Sequence, residues 1–276
     1  MAATSFNDVD WYASPHYYDI VFDDETELEV NFLEAIFARH ATLEGRSLQR
    51  VLEPACGSGR LMLEFARRGW KTTGFDLSED MLAYARKRFK EEKLTTRGLK
   101  KRLFAARLED FPVSETYELA HCLVSTFKYV QTEEGARSHL ERVAKSLLPG
   151  GLYVLGLHLT EYANDRPERE RWVGTRDGTR VVCNIQGWPA DKRARTERIR
   201  SRLAIEEQGR KHRMETNWTF RTYDARQLRR LISSVPAFEH VQTYDFGLSL
   251  EEPRALNDEQ LDCLLVLRKR GRRRPA

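Results

Sequence analysis

Cysteine is scarce and scattered in this chain. Four cysteines, Cys56, Cys122, Cys183 and Cys263, are spread over 276 residues. None forms a CxxC pair, which argues against a disulfide scaffold or a zinc site and fits a reduced, cytoplasmic chain. The seven histidines are as dispersed and offer no metal motif. Long apolar runs are also missing. The nearest, Leu152–Leu159, falls far short of the roughly 18–20 residues that a membrane helix needs. The opening residues, Met1 to Asp8, lack a basic region followed by an apolar one, so no secretory signal is expected. What is present, 41% hydrophobic and 10% aromatic residues, excludes a disordered chain and suffices for a core.

Charge of one sign is not in excess overall, but it is unevenly placed. The formal net charge is +4. Residues 165–230 hold 18 basic and 10 acidic side chains, and the tail Arg268 to Arg274 adds six basic ones. The remainder is therefore acidic. A basic region raises the question of nucleic acid. Here the cations fall on alternating strand positions and in a tail, without an aromatic stacking platform, so nucleic acid is disfavoured.

From about residue 50 to 160, short apolar runs alternate with amphipathic stretches. Strands are expected at 50–53, 70–75, 102–107, 117–124 and 152–159. Helices are expected to open at Ser58, at Ser78, which caps a turn holding Glu79 and Asp80, and at Thr132. Such strands, buried on both faces, predict a parallel α/β sheet with right-handed crossovers. The period changes after Glu161. Asp177-Gly178 between two strand-like halves signals a type I′ hairpin. In 197–207, Ile199, Leu203 and Ile205 alternate with Arg198, Arg200 and Arg202. A helix at 224–235 and two last strands complete the pattern. The reading is a Rossmann-like, seven-stranded, mostly parallel sheet flanked by helices, carrying an antiparallel β insertion as a lid. Residues 1–160 and 223–276 form the core and 161–222 the insertion.

The first strand runs into Glu53-Pro54-Ala55-Cys56-Gly57-Ser58-Gly59-Arg60. Glycines at a strand-to-helix turn let a ligand approach the backbone. The third glycine of a dinucleotide fingerprint is absent, since Arg60, Leu61 and Met62 follow Gly59. Glu53 instead places a carboxylate before the glycines, which suits a cationic ligand. Asp76 ends the next strand, where it can accept hydrogen bonds from both ribose hydroxyls.

These blocks, together with Gly74-Phe75-Asp76-Leu77-Ser78-Glu79-Asp80-Met81-Leu82 and Leu147-Leu148-Pro149-Gly150-Gly151, resemble the class I S-adenosylmethionine-dependent methyltransferases over about residues 45–160. The resemblance implies S-adenosylmethionine as cofactor and S-adenosylhomocysteine as product. It places Glu53, Ala55, Gly57 and Gly59 along the methionine part, Asp76 on the ribose, and Leu77 and Met81 beside the adenine. Arg107 stands where the family has an Asp for the adenine amino group, with Leu108 packing on the base and Glu109 or Asp110 left to take that contact. After the fourth strand, Leu123-Val124-Ser125-Thr126-Phe127 lacks the Asn-Pro-Pro-Tyr-like motif of DNA and glutamine amino-methyltransferases. It resembles small-molecule enzymes, in which Leu123 and Ser125 would border the cofactor.

The segment Trp11 to Asp19 likewise resembles small-molecule members with a β insertion after the fifth strand, where a tyrosine closes over the cofactor. Tyr12, Tyr17 and Tyr18 are the candidates, and Tyr18 is assigned to both cofactor and chemistry. His158, at the carboxyl end of the fifth strand, is the candidate base; His121, within the fourth, reads as buried structure. Glu215, Asn217 and Arg221 either reach the cleft or form a solvated sheet face. The expected activity is N- or O-methylation of a small molecule by in-line transfer, with the basic lid favouring an anionic acceptor. The protein would work as a monomer or homodimer. The alternatives are an RNA or protein methyltransferase that uses the basic insertion and tail, or a non-catalytic S-adenosylmethionine-fold binding protein.

Overall fold

The computed structural model describes residues 7–8, 10–45, 48–94 and 98–271. The basic tail beyond Gly271 lies outside the described residues. In chain order the elements are β1 (Asn7–Asp8), α1 (Pro15–Phe22), α2 (Thr26–His40), β2 (Arg50–Pro54), α3 (Arg60–Arg67), β3 (Lys71–Asp76), α4 (Glu79–Glu91), α5 (Leu99–Arg102) and β4 (Leu103–Ala105). Then follow β5 (Tyr117–Cys122), α6 (Glu133–Ser146), β6 (Leu147–His158), β7 (Glu168–Arg176), β8 (Thr179–Gly187), β9 (Thr196–Glu207), β10 (Arg210–Arg221), α7 (Ala225–Ser233), β11 (Phe238–Tyr244) and β12 (Asp262–Lys269).

One sheet has seven strands in the order β11-β12-β6-β5-β2-β3-β4. The pairs from β6 to β4 are parallel, and β12 runs antiparallel to both neighbours. Alternate residues of its strands feed two cores, as the pleat requires. Tyr153, Leu155 and Leu157 pack under α6 and α7 with Leu140, Val143, Leu228 and Leu231. Leu152 and Val154 pack on the other face against Val30, Leu33 and Ile36 of α2 and Phe65 of α3. The helix starts follow local chemistry. Ser78 accepts from the Met81 amide, Thr132 from Gly135, and Asp224 from Gln227 in a reciprocal capping box. Helix α6 stops at Ser146, where Leu147 already pairs with Tyr117, so Pro149 and Gly150 lie inside β6 rather than ending the helix.

The second sheet has the order β1-β10-β9-β8-β7. Both hairpins turn on two left-handed residues, Asp177-Gly178 (φ 48° and 77°) and Gln208-Gly209 (φ 48° and 75°). This sheet is not built from residues 161–222 alone. Asn7 and Asp8 pair in parallel with Met214 and Glu215. Trp11 and Ile20 are buried with Val181, Cys183, Leu203, Ile205 and Met214. The N-terminal segment, expected with the core, thus packs on the lid. The physical reason is that the lid's apolar face needs a cover, and α1 supplies it. Arg88 of α4 then ties α1 to the core through Asp19 at 2.6 Å, while Arg176 of β7 reaches Asp23 at 3.0 Å.

Candidate active site

The turn from β2 to α3 is held open by backbone conformation. Ala55, Gly57 and Gly59 all have positive φ, at 53°, 52° and 73°. A side chain on Gly57 would meet nothing within 4 Å, whereas one on Gly59 would lie 2.9 Å from the Cβ of Ala85. Gly59 is therefore needed for helix packing, and Gly57 faces open space that a ligand can fill. Asp76 is aimed across this turn: its carboxylate accepts from the amides of Gly57 and Ser78, both at 2.8 Å. Burial raises the carboxyl above its ordinary value, and the amides of Ser78, Gly57 and Leu77 oppose that rise. Glu53 is buried with one oxygen that has no partner among the described residues. Burial pushes its carboxyl from 4.5 to about 8, against the pull of Arg60. Arg60 itself is bonded to Glu29 and Thr26. An orphaned acid beside an open glycine turn fits a ligand carrying a cationic group.

The other expected residues are distributed around this turn. Leu77 is 66% exposed and Met81 is buried. Leu108 is buried in the core under α6. Arg107 points to solvent and pairs with Glu109 at 2.7 Å. Asp110 pairs with Arg142. Leu123 packs beside Gly156, and the hydroxyl of Ser125 accepts from the His158 amide at 3.0 Å. Val124 and Ser125 are consecutive non-glycine residues at φ 57° and 61°, a strained turn of the kind found beside functional sites.

A cavity of about 570 Å³ opens between the end of the seven-stranded sheet and the inner face of the second one. Its aromatic wall comprises Trp11, Tyr12, Tyr18, Tyr129, Trp218 and Phe220. The hydroxyls of Tyr12 and Tyr129 are bonded at 2.7 Å, and burial pushes the Tyr12 phenol up to about 12. Tyr18 is in the wall, its ring against Trp11 and Phe22; burial raises its phenol strongly. Tyr17 lies apart, bonded to Glu207. The Ser78 hydroxyl donates to the Tyr12 carbonyl at 3.3 Å, so the aromatic segment is fastened to the loop that follows Asp76.

His158 lines the same cavity, and its Nδ1 lies 2.6 Å from Asp262 Oδ1. This contact holds the Asp262 carboxyl below its ordinary range. His121 is fully buried, stacked on Phe65, and burial drives its pKa down to about 3. Sequence reasoning missed Asp262, Tyr129, Trp218 and Lys128. Buried Lys128 pairs with Glu197 of β9 at 2.6 Å. Of the other lid residues, Glu215 pairs with Arg202, Asn217 bonds Glu215, and Arg221 is bonded to Gln131 and Glu133. None of the three lines the cavity.

The expected basic lid is corrected by strand geometry. Side chains alternate across a strand. In β7, Glu168, Glu170 and Trp172 line the cavity, and in β9 Glu197 and Ile199 do. Arg169, Arg171, Arg200 and Arg202 line a neighbouring groove that shares Glu170 and Ile185 with the cavity, and Arg198 stacks on Trp188 at 4.0 Å. Most of the lid's arginines thus lie away from the cavity, and most of the charged lid residues that line it are acids.

Residues 51–151 match the family model described as a methyltransferase domain. The structure as a whole is similar to a S-adenosylmethionine-dependent methyltransferase from Clostridium acetobutylicum, at TM-score 0.71 and 16% identity, covering 93% of this chain and 97% of that one. It is also similar to a sugar N-methyltransferase from a Streptoalloteichus species, at TM-score 0.68 and 15% identity, covering 98% and 96%. At such identities the likeness establishes the methyltransferase fold alone. In sequence, the chain is 31% identical over 121 residues to dTDP-3-amino-3,4,6-trideoxy-alpha-D-glucopyranose N,N-dimethyltransferase of Streptomyces venezuelae, matching 44% of this chain and 46% of that relative. The chain thus spans less than half the length of that curated relative. Among the described residues, no helix is long and apolar enough to cross a membrane.

Proposed function

We propose that this chain transfers a methyl group from S-adenosylmethionine to a nitrogen of a small-molecule acceptor. The observation that carries the reading is the shared wall between two sites. Asp76, fixed by two amides, lies under the loop whose Ser78 binds Tyr12, and Tyr12 lines the acceptor cavity. Bound at the glycine turn, S-adenosylmethionine would supply an electrophilic methyl on a cationic sulfur. Glu53 would hold its ammonium group, Asp76 its ribose, and Leu77, Met81 and Leu108 its adenine, with Arg107 and Glu109 at the outer rim. The faces of Tyr12 and Tyr18 would favour the cationic end, as π faces do.

Positioning and exclusion of water supply most of the help in such a displacement, because the leaving sulfur needs no acid. An acceptor that arrives as an ammonium must shed a proton to attack. With the Nδ1 proton directed at Asp262, His158 Nε2 is an acceptor able to take it. His158 would take the proton from the acceptor's ammonium, freeing the nitrogen lone pair for the methyl group that S-adenosylmethionine would supply, with the sulfur as leaving group. Nitrogen rather than oxygen is favoured because similar sequences and similar folds include N-methyltransferases and because the cavity's acids suit an amine. Four buried, unpaired thiols fit a reducing compartment, the cytoplasm in our reading.

Titration calorimetry with S-adenosylhomocysteine tests the cofactor site. Binding by the native protein and its loss in both Asp76→Ala and Gly57→Arg are expected; undiminished affinity in the two variants would sink the proposal. For the base, His158→Ala should lower turnover more than tenfold and shift the pH profile of kcat. A smaller loss with an unchanged profile would remove it from the chemistry.

A further inference from the structure

The acceptor cavity sorts charge in a way the methyltransferase reading alone does not require. Glu161, Glu168, Glu170, Glu197 and Asp262 line it against Lys128, Arg166 and His158. Lys128 is consumed by Glu197 and His158 by Asp262, which leaves Glu161, Glu168 and Glu170 opposed by Arg166. Glu170 feels its surroundings directly. Partial enclosure raises its carboxyl, Glu168 and Asp262 reinforce the rise, and His158 opposes it. A second observation is independent of these acids. Thr160, two residues beyond His158 and more than nine-tenths buried in the cavity wall, has a hydroxyl with no partner among the described residues. A buried hydroxyl without a partner costs stability unless a ligand satisfies it.

We propose that Glu170, with Glu168, the His158–Asp262 pair and the Thr160 hydroxyl, forms a subsite that selects a free, cationic amine and rejects phosphate-bearing, nucleotide-linked acceptors. The inference rests on the proposed acceptor cavity. Its chemistry is that of an ammonium recognised by a carboxylate, a hydroxyl and aromatic faces, and the aromatic wall suits an apolar body behind the charged head. A diphosphate placed there would meet the same carboxylates, and like charges repel. The arginines that would welcome it, Arg169, Arg171, Arg200 and Arg202, do not line this cavity but a neighbouring groove that shares Glu170 and Ile185 with it.

The test compares three probes, 2-phenylethylamine, its anionic analogue 3-phenylpropanoate, and thymidine diphosphate, by calorimetry on the full chain with and without saturating S-adenosylhomocysteine. The amine should bind the native protein, and the two anions should not. Glu170→Gln should weaken the amine by about tenfold, which is about 1.4 kcal/mol, and Thr160→Val should weaken it severalfold. Glu170→Lys should admit 3-phenylpropanoate, a gain that damaged folding could not produce. Tighter binding of either anion than of the amine, failure of the amine to bind at millimolar concentration, or amine affinity unchanged in both Glu170→Gln and Thr160→Val would each overturn the subsite. Loss of S-adenosylhomocysteine binding with the amine response intact would instead sink the methyltransferase reading and leave the subsite standing.

Discussion

At the scale of single residues, the site stores unfavourable choices that a ligand would relieve. Glu53 is the clearest. Its carboxyl is raised from 4.5 to about 8, so the folded state holds its proton more tightly than the unfolded chain does. The stability this contributes is fully present below the ordinary carboxylate value and is lost as pH rises through about 8. Glu53→Gln, neutral at every pH, is therefore expected to match the native protein near pH 4.5 and to melt several degrees higher near pH 8. Scanning calorimetry across that range checks it, and parallel pH curves for the two proteins would contradict the assignment. Ala55 is a second such choice, a non-glycine residue at φ 53°. Ala55→Gly removes a left-handed strain partly offset by added freedom in the unfolded chain, so a gain of about 0.5–1 kcal/mol in a urea titration is expected. Glu53, Gly57, Gly59 and Asp76 were all legible because spacing and residue type announce them. Asp262 was not, because its role comes from the register that sets it opposite His158 across β6 and β12, which a single chain of letters does not carry.

Elements show where pattern reading works and where it averages too much. The order of strands and helices through the main sheet follows from apolar runs, caps and helical spacing, and these are local. The hairpin at Asp177-Gly178 was equally legible. The charge of the lid was misread because it was summed over the whole insertion. Glu168-Arg169-Glu170-Arg171-Trp172 already spells two faces of opposite sign, and a strand keeps them apart. The two-residue β1 offers no periodicity at all, so its pairing with β10 had no local signal. Gly174 of β7 marks the closest approach between the lid and α1. A Cβ there would fall 1.8 Å from the Ile20 carbonyl oxygen, and backbone cannot yield as a side-chain end can. Gly174→Ala is expected to cost about 1–3 kcal/mol, the range of overpacked sites, and to loosen α1 from β7. A lower melting temperature with a red-shifted tryptophan signal, from Trp172 beside Phe22, is the expected result; an unchanged spectrum and melting point would show that the contact is not tight.

For the whole molecule, the net charge of +4 conceals an arrangement with three faces: the acid-bearing cofactor turn, the acidic and aromatic cavity, and an arginine-rich outer sheet. What couples the first two is the N-terminal segment. It donates from the Trp11 amide to Thr216 of β10, accepts from Ser78 through the Tyr12 carbonyl, and is tied to α4 through Asp19 and Arg88. A ligand seated on Asp76 therefore touches a loop that holds the cavity's roof. Any ligand that binds only the folded state adds stability by mass action, about 2.7 kcal/mol at a hundredfold excess over its Kd. Where that stability appears depends on which contacts the ligand reinforces. Saturating S-adenosylhomocysteine is expected to slow amide exchange not only in the β2–α3 turn but also in residues 11–22 and in β10 around Thr216. The same ligand added to Ser78→Ala, which removes the hydroxyl that joins the loop to Tyr12, should still protect the turn while leaving residues 11–22 exchanging as in the free protein. Protection confined to the turn in the native protein would show that cofactor and roof are independent. Protection of residues 11–22 that survives in Ser78→Ala would show that the coupling runs through the aromatic packing instead of that hydrogen bond.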